Sequence, residues 1–365
     1  MKRPPCLDQP MTISVVTCAY TMARWDDLLC AVASARGLQP PADEIVLVID
    51  HNPAMKARAE AEFADLVVID NPNSRGASGA RNAGIAVARG ALVAFLDDDA
   101  VADPGWLAGL QTVFANPEVL GAMGRIEPLW LAPRPSWFPD EFMWTLGCTY
   151  RGLPEKVDKV RNLYGSMAFR RDVFQKIGFF NATVGRTDRD FPWSCEETEL
   201  CLRARTMISG SEFMFVPHAL VWHKIPNKRL SFRYFCVRCY AEGLSKAYVS
   251  ALRTSTDSLS AERAYVLRVL TRGLAHAFGD GVLRFDMTGF GRCAAIVAGL
   301  ACSVAGYFAG KAKLARAGTP LEHEALIVDQ LPRRHPTTSP VSSRSEPRRR
   351  IRQQGEESQD LGVNP

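Results

Sequence analysis

Strands and helices alternate along the first hundred residues, and this alternation restricts the fold more than any other feature of the chain. Four apolar runs rich in β-branched residues predict strands, and the stretches between them have helical spacing. Strands that are apolar on both faces and alternate with helices are typical of a parallel sheet covered on both sides. The predicted elements are strands 12–20, 43–52, 65–70 and 91–96 and helices 24–36, 54–63 and 79–89.

Polar residues gather where three of these predicted strands end. They are residues 17–20, residues 50–52 and the three acids at 97–99. In open α/β sheets, ligands bind outside the carboxyl ends of the strands. The sequence therefore predicts a binding site at this edge of the sheet.

The acids Asp97, Asp98 and Asp99 come directly after the apolar run "ALVAFL". Like charges at neighbouring positions repel one another, and burying them at the end of a strand is costly. A divalent cation would compensate them, because Mg2+ and Mn2+ take oxygen and imidazole ligands and bind the phosphates of a substrate. A metal can also neutralise the charge that develops on a departing diphosphate. The alternative is a turn of solvated acids.

The second half of the chain is less regular. Residues 126–152 are rich in Pro, Trp and Phe and fit neither a plain helix nor a plain strand. Residues 161–180 predict a turn, a strand and a helix. Residues 194–207 predict a helix that Ser194 caps and whose first turn is acidic. The run "FMFVPHALVWH" predicts a further strand and its exit.

Six motifs in chain order resemble the inverting family 2 glycosyltransferases, over about residues 11–245. The resemblance implies the fold class of that family, which is α/β: a GT-A, Rossmann-like nucleotide-diphospho-sugar transferase with a mixed sheet flanked by helices. The motifs are "SVVTCAY", "EIVLVIDHN", "GASGARNAGIAVARGALVAFLDDD", "GSMAFRRDVFQKIGFF", "CEETELCLRAR" and "VPHALVWHK".

The resemblance implies a metal site and a nucleotide site. Asp99, Asp97 and His223 would hold Mn2+ or Mg2+, Asp50 would read a uracil base, and Asp98 or Asp97 would reach the ribose. A plainer interpretation of His223 is a solvent-facing histidine at the end of a strand. The implied nucleotide-sugar contacts are Thr17, Ala19, Tyr20, Asp50, Arg81, Asp97 and Asp98, of which Arg81 could instead form a surface salt bridge.

The resemblance also implies a catalytic base at the start of the helix 194–207. Glu197 is the preferred base and Glu196 the alternative, because neighbouring helical residues point about 100° apart and only one is expected to face the acceptor. Both could instead be acids that complement the helix dipole. Much of the family has Glu-Asp here, so the longer side chain of Glu197 changes its reach. The Gln-x-x-Arg-Trp motif of processive members does not occur, which favours transfer of a single sugar.

Further stretches resemble a narrower group, the archaeal hexuronosyltransferases of N-glycosylation, which extend a sugar linked to a lipid phosphate. These stretches include "FPDEFMWTLGCTYRG", "RNLYGSMAFRRDVF" and "CYAEGLSKA". The implied partners are UDP-glucuronate as the donor, a polyprenyl- or dolichyl-phosphate-linked sugar as the acceptor, and the membrane.

Other functions stay open at this point. The donor could be another UDP- or dTDP-sugar, such as glucose, N-acetylglucosamine or rhamnose, used for cell-surface polysaccharide. A nucleotidyltransferase would normally carry a Gly-rich loop after the first strand, which "TCAYTMARW" is not. A non-catalytic membrane scaffold is a remote alternative. The net charge of +5 is too small to indicate nucleic acid as a partner.

We expect a flexible N-terminus (1–10), a GT-A domain (11–228), a helical membrane-associating region (229–316) and a disordered tail (317–365). Basic-aromatic helices at 228–252 and 261–278 would lie on anionic headgroups or pack on the domain. The 18 uncharged residues 293–310 are short for a span, which needs about 20. They predict a transmembrane or re-entrant anchor, or a helical pair packed on the domain.

The termini and the cysteines indicate the compartment. The first ten residues lack the apolar core of a signal peptide, and the ten cysteines are scattered, as is typical of reduced thiols. We therefore expect a catalytic domain on the cytoplasmic face of the cell membrane, held peripherally or by a single C-terminal anchor.

Overall fold

The computed structural model describes residues 11–184, 194–252 and 265–317. Three predictions lie outside these ranges: the flexible N-terminus, the disordered tail except its first residue, and the first residues of the helix predicted at 261–278. The strands are β1 Ile13–Ala19, β2 Glu44–Ile49, β3 Val67–Asp70, β4 Leu92–Phe95, β5 Ala100–Ala102, β6 Val119–Trp130, β7 Asp158–Val160, β8 Met167–Arg170 and β9 Glu212–Ile225. The helices are α1 Trp25–Arg36, α2 Pro53–Glu62, α3 Ala77–Val87, α4 Trp106–Gln111, α5 Arg171–Ile177, α6 Glu196–Met207, α7 Phe232–Ala251, α8 Thr271–Leu283 and α9 Met287–Ala317.

The strands form one sheet in the order β3-β2-β1-β4-β8-β6-β9-β5, and β7 also pairs with β9. The first four strands pair in parallel, as their sequence pattern predicts. Strand β8 then runs antiparallel to both β4 and β6, while β6 and β9 are parallel. The result is the mixed sheet that the family resemblance implies.

Helices cover both faces of the sheet because neighbouring strand residues point to opposite sides. Val16 of β1 packs in a core with residues of α3, α5 and α6. Val15 packs on the other face with residues of α1 and α4. The connections in this parallel half leave the carboxyl ends of β1, β2 and β4 open to a ligand.

The C-terminal helices pack against the segment that follows β6. Phe235 of α7 and Ile296 of α9 are buried in a third core with Phe138 and Phe142, from the aromatic segment after β6. Segment 293–310 lies inside α9, which packs along α7 as the helical-pair alternative expects. The same helix is long and apolar enough to cross a membrane by length and composition.

Two glycines bring the backbones of α7 and α9 into contact. A Cβ at Gly243 would overlap the carbonyl oxygen of Ser303. A Cβ at Gly306 would overlap the carbonyl oxygen of Tyr240. This close approach needs residues without a side chain, and it fixes α9 against α7.

The start of α6 differs from the sequence expectation. The residue before the helix is Cys195, in the left-handed conformation with φ 78°, and it makes no side-chain cap. Ser194, the expected cap, instead donates its hydroxyl to Glu242 Oε2 of α7 at 2.7 Å. The capping prediction is therefore wrong, because a partner on a distant helix competes for the serine.

The aromatic segment is more regular than expected at its beginning. Strand β6 runs through Trp130, well into the stretch expected to be irregular. A single 3-10 helix, Asp140–Leu146, follows later in the same stretch.

Candidate active site

A cleft of about 1130 Å³ opens at the carboxyl ends of β1, β2 and β4, where the sequence predicts a binding site. Apart from Thr17, every site residue expected from the sequence lines it. Those residues are Ala19, Tyr20, Asp50, Arg81, Asp97, Asp98, Asp99, Glu196, Glu197 and His223.

Thr17 does not reach the cleft. It is fully buried within β1, on the same face as Val15, because alternate strand residues share a face. Its hydroxyl has no hydrogen-bond partner among the described residues. Only the last residues of β1 and those that follow it line the cleft.

Asp50 holds together the loops that line the cleft at the end of β2. Its Oδ1 accepts from Asn71 Nδ2 at 2.7 Å and lies 2.8 Å from Nδ1 of His51. Its Oδ2 accepts from the backbone N–H of Gly76 at 2.9 Å. The buried carboxylate thus ties the end of β2 to the loop that leads into α3.

The first two acids of the cluster have different surroundings. The side chain of Asp97 is 41% exposed and lies 3.8 Å from Arg81 Nη2. Asp98 is buried, and its Oδ1 accepts from Arg24 Nη1 at 2.8 Å. Burial raises the pKa of Asp98 to about 7, although Arg24 opposes this. Asp98 Oδ2 is buried without a hydrogen-bond partner in the described part of the chain, so it is available to accept from a ligand.

Strand pairing brings His223 to the third acid. Ala100 of β5 stands opposite His223 of β9, so His223 Nε2 lies 3.2 Å from Asp99 Oδ1. Arg229 Nη2 lies 3.2 Å from Asp99 Oδ2, and Arg24 Nη1 lies 3.3 Å from the same oxygen. Burial favours the neutral acid, but His223, Arg24 and Arg229 outweigh it and hold the pKa of Asp99 well below its usual range.

The predicted metal ligands meet only in part. Asp99 and His223 are adjacent, and their oxygen and nitrogen donors suit Mg2+ or Mn2+. Asp97 does not join them, and no cluster of three ligating side chains occurs within residues 11–184, 194–252 and 265–317. The Arg229 guanidinium contacts both Asp99 and His223, with Nη1 3.3 Å from His223 Nε2. A cation held by this pair therefore requires Arg229 to move.

Glu196 and Glu197 face the same cleft from the start of α6, and both are buried. Arg81 Nη1 donates to Glu197 Oε1 at 2.9 Å and to Glu196 Oε1 at 3.3 Å. Both glutamates line the cleft and share Arg81, so their position alone does not distinguish Glu197, the preferred base, from Glu196. Arg81 is itself buried against the rings of Phe95 and Phe180, so the surface salt bridge considered for it is wrong.

Sequence reasoning missed several charged residues of the cleft. Arg24 and Arg229 form ion pairs with the acid cluster, and three charged residues of α7 also line the cleft: Arg238, Glu242 and Lys246. The run of three acids could have indicated Arg24 and Arg229, because buried acids require nearby cations. No local pattern marks the α7 residues, which reach the cleft only through long-range packing.

The mixed sheet and the cleft at its parallel edge are the arrangement of the GT-A fold. Comparison with known proteins is more specific, and it shows that the chain belongs to glycosyltransferase family 2. The family model "Glycosyl transferase family 2" matches residues 14–178.

The relatives are carbohydrate-active proteins. The chain is 34% identical over 247 residues to the glucosyl-dolichyl phosphate glucuronosyltransferase of Haloferax volcanii, covering 66% of this chain and 78% of that protein. It is 33% identical over 135 residues to the succinoglycan biosynthesis protein ExoO of Rhizobium meliloti, covering 33% of this chain and 38% of that protein.

Similarity to a solved structure supports the fold. The mannosyltransferase PcManGT from Pyrobaculum calidifontis, in complex with GDP-Man and Mn2+, superposes with a TM-score of 0.54 at 15% identity. The match covers 83% of this chain and 88% of that chain.

Proposed function

We propose that this glycosyltransferase moves one glucuronate residue from UDP-glucuronate to a polyprenyl- or dolichyl-phosphate-linked sugar, with inversion at the anomeric carbon. The observation that carries the proposal is the buried Glu196–Glu197 pair in one cleft with the acid cluster 97–99. The similarity to the Haloferax volcanii glucuronosyltransferase supports the donor and the lipid-linked acceptor. The cationic lining from Arg24, Arg81 and Arg229 suits a donor that carries both a diphosphate and a carboxylate.

The proposed reaction is one direct displacement. Glu197 accepts the proton of the acceptor hydroxyl at a carboxylate oxygen while that hydroxyl attacks the anomeric carbon. The bond from the anomeric carbon to the diphosphate oxygen breaks in the same step, and UDP leaves with the bonding electron pair. Arg81 orients the carboxylate through the 2.9 Å hydrogen bond. Positioning and proton transfer together lower the barrier, and general-base catalysis alone typically supplies about 10²–10⁴-fold in rate.

We propose that the nucleotide lies along the ends of β1 and β2. Asp50 with its loop would receive the base, next to Ala19 and Tyr20. The unpartnered oxygen of Asp98 would accept a hydrogen bond from a ribose hydroxyl. Thr17 has no such role in this proposal, because it does not line the cleft.

Asp99 and His223, with Asp97 nearby, would hold Mn2+ or Mg2+ after displacement of Arg229. When bound, such a cation neutralises the charge of the departing diphosphate. The Mn2+ complex of PcManGT is consistent with this role in a similar fold.

We propose that the GT-A domain spans 11–228 and that 229–316 hold it at the cytoplasmic face of the membrane, peripherally or through α9 as a single anchor. The corner between α8 and α9 supports this, because Leu283, Phe285 and Met287 are exposed there beside Arg284. Exposed apolar side chains next to a cation are typical of a membrane-surface contact.

A donor screen tests the proposal. The purified full-length protein, with membranes as the source of acceptor, would be given UDP-glucuronate, UDP-glucose, UDP-N-acetylglucosamine and dTDP-rhamnose, and released nucleotide would be measured. We expect turnover with UDP-glucuronate and little with the others. Preference for a neutral sugar would favour the polysaccharide alternative, which the similarity to ExoO raises, and would refute the glucuronate assignment.

A further inference from the structure

The cleft continues past the proposed catalytic base along α7 and α9. The acid cluster, Glu196 and Glu197 form one part of its lining, and charged residues of α7 with apolar residues of α9 form a second part. The nucleotide and the transferred sugar account for the first part only. The second part has no role in the mechanism above.

A cluster of two cations and one anion lies at the junction of these parts. Arg238 and Lys246 line the cleft on either side of Glu242 in the sequence of α7. Burial works against ionisation of Glu242, but Lys246, Ser194 and Arg238 outweigh it and lower its pKa. The cluster therefore contains two cations and one ionised acid near neutral pH, and its net charge is positive.

This basic cluster is close to the proposed base. Glu242 accepts from Ser194 Oγ at 2.7 Å and from Cys195 Sγ at 3.4 Å. Cys195 directly precedes Glu196 in the chain. A group bound by Arg238 and Lys246 would therefore sit beside the acceptor side of the active site.

The end of the cleft beyond the cluster is apolar. Leu270, Leu300, Val304 and Phe308 line it. Val304 and Phe308 are also exposed, Phe308 by 66%, so this wall continues onto the outer surface of α9. No charged residue occurs on α9 between Arg292 and Lys311.

We propose that this end of the cleft binds the phosphate and the first isoprene units of the acceptor, an inference that rests on the function proposed above. The phosphate binds to Arg238 and Lys246, and the hydrocarbon chain runs past Leu300, Val304 and Phe308 towards the bilayer. Glu242 contacts Ser194 and Cys195 beside Glu196, and Gly243 approaches Ser303 beside Val304, so the basic cluster adjoins both the proposed base and the apolar wall. A polyprenyl-phosphate-linked sugar has its groups in the same order, from sugar to phosphate to hydrocarbon. Charge complementarity selects this occupant over a neutral lipid.

Binding of farnesyl phosphate to the full-length protein tests the inference, with farnesol and inorganic phosphate as the two partial ligands. Each is titrated below its aggregation threshold, and UDP affinity is measured on the same samples. We expect farnesyl phosphate to bind about 100-fold more tightly than either partial ligand, because both the charge and the apolar chain contribute. Inorganic phosphate that binds as tightly would overturn the lipid assignment, and farnesol that binds as tightly would overturn the phosphate site.

Variants with matched controls identify the residues. Arg238→Gln and Lys246→Gln should each lower the affinity for farnesyl phosphate about 10-fold to 100-fold. Arg233→Gln, which removes an exposed cation of the same helix, should leave this affinity unchanged. Val304→Asn should lower the same affinity about 10-fold. Val297 is exposed on α9 but lies outside the cleft, so Val297→Asn should not change it.

UDP binding separates the two levels of the proposal. All five variants should bind UDP with the affinity of the wild type. If Arg238→Gln does not fold, Lys246→Gln still tests the phosphate site, because Lys246 is partly exposed. Wild-type farnesyl phosphate affinity in the Lys246→Gln variant, with UDP binding intact, would refute the phosphate site. A wild-type chain that binds no UDP would instead refute the proposed function.

Discussion

The charge of a buried acid in the cleft is compensated by cationic side chains from distant parts of the sequence. Asp99 is held by His223, Arg24 and Arg229, which come from three separate segments. Buried charges need such partners, since an isolated ion in a protein interior is unstable. The two arginines next to Asp99 compensate its charge, which is the role that the proposed metal ion would take over.

Metal dependence is the first consequence at this scale. Treatment with EDTA should abolish sugar transfer, and Mn2+ or Mg2+ should restore it, because the departing diphosphate needs a counter-charge. Asp99→Asn should abolish it as well, whereas Asp158→Asn, at an exposed acid on β7, should not. Steady-state release of UDP measures both, and full turnover in chelator would contradict the metal assignment.

The carboxylates on Arg81 give the second prediction. Glu197→Gln keeps the size and the contact with Arg81 but removes the basic oxygen, so the transfer rate should fall by about 10²–10⁴-fold. Affinity for UDP, measured by calorimetry, should stay near the wild-type value. Glu196→Gln is the matched control with the same partner. Should it be the inactive variant while Glu197→Gln retains activity, the two roles are reversed.

At the scale of elements, the sequence predicts the strands and helices of the parallel half well because their signals are local. The run "EIVLVIDHN" predicts β2 from its own residues, and Asp50 reaches the cleft simply because it follows that strand. Ser194 shows where this reasoning stops. Its capping preference is local, but Glu242, 48 residues away, competes for its hydroxyl. Thr17 does not line the cleft for a different reason, since strand alternation directs its side chain into the core.

Helices α7 and α9 give the prediction at this scale. Gly243→Ala should destabilise the protein by about 1–3 kcal/mol, because the added methyl meets the carbonyl of Ser303 and forces the helices apart. Gly279→Ala is the control inside α8, where a Cβ meets nothing within 4 Å, and it should stabilise by about 0.5–1 kcal/mol. Urea denaturation measures both changes. Equal stability of the two variants would contradict the close packing of α7 against α9.

The described part of the chain combines a cleft lined by both charged and apolar residues with an apolar corner on the last two helices. Leu283, Phe285 and Met287 come from the connection between α8 and α9, and Phe285 is 87% exposed. The sequence indicates membrane association through the composition of 228–278 and 293–310, but it does not single out this corner. Exposure there results from how α8 turns into α9, and composition carries no information about that turn.

Membrane binding of the full-length chain is the prediction at the largest scale. The protein should sediment with anionic vesicles at low salt, and Leu283→Glu combined with Phe285→Glu should reduce the bound fraction about tenfold or more. Met207→Glu, at an exposed apolar residue of α6, is the control. Binding that persists at high salt would indicate apolar insertion, and binding lost at high salt would indicate the basic face alone. A chain that stays in the supernatant at low salt would contradict the membrane proposal.

The backbone contacts at Gly243 and Gly306 also make the helix pair recognisable in other sequences. Each position faces a carbonyl oxygen of the opposite helix, so the smallest possible side chain already overlaps it. The two glycines are 63 residues apart in the chain, and local composition does not reveal them as a motif. A related sequence with glycine at both aligned positions should keep its last helix at the same distance from α7, whereas one with a larger residue at either must hold that helix further away. The residues aligned with Gly243 and Gly306 would therefore predict, for each relative, how closely its last helix approaches the helix that corresponds to α7.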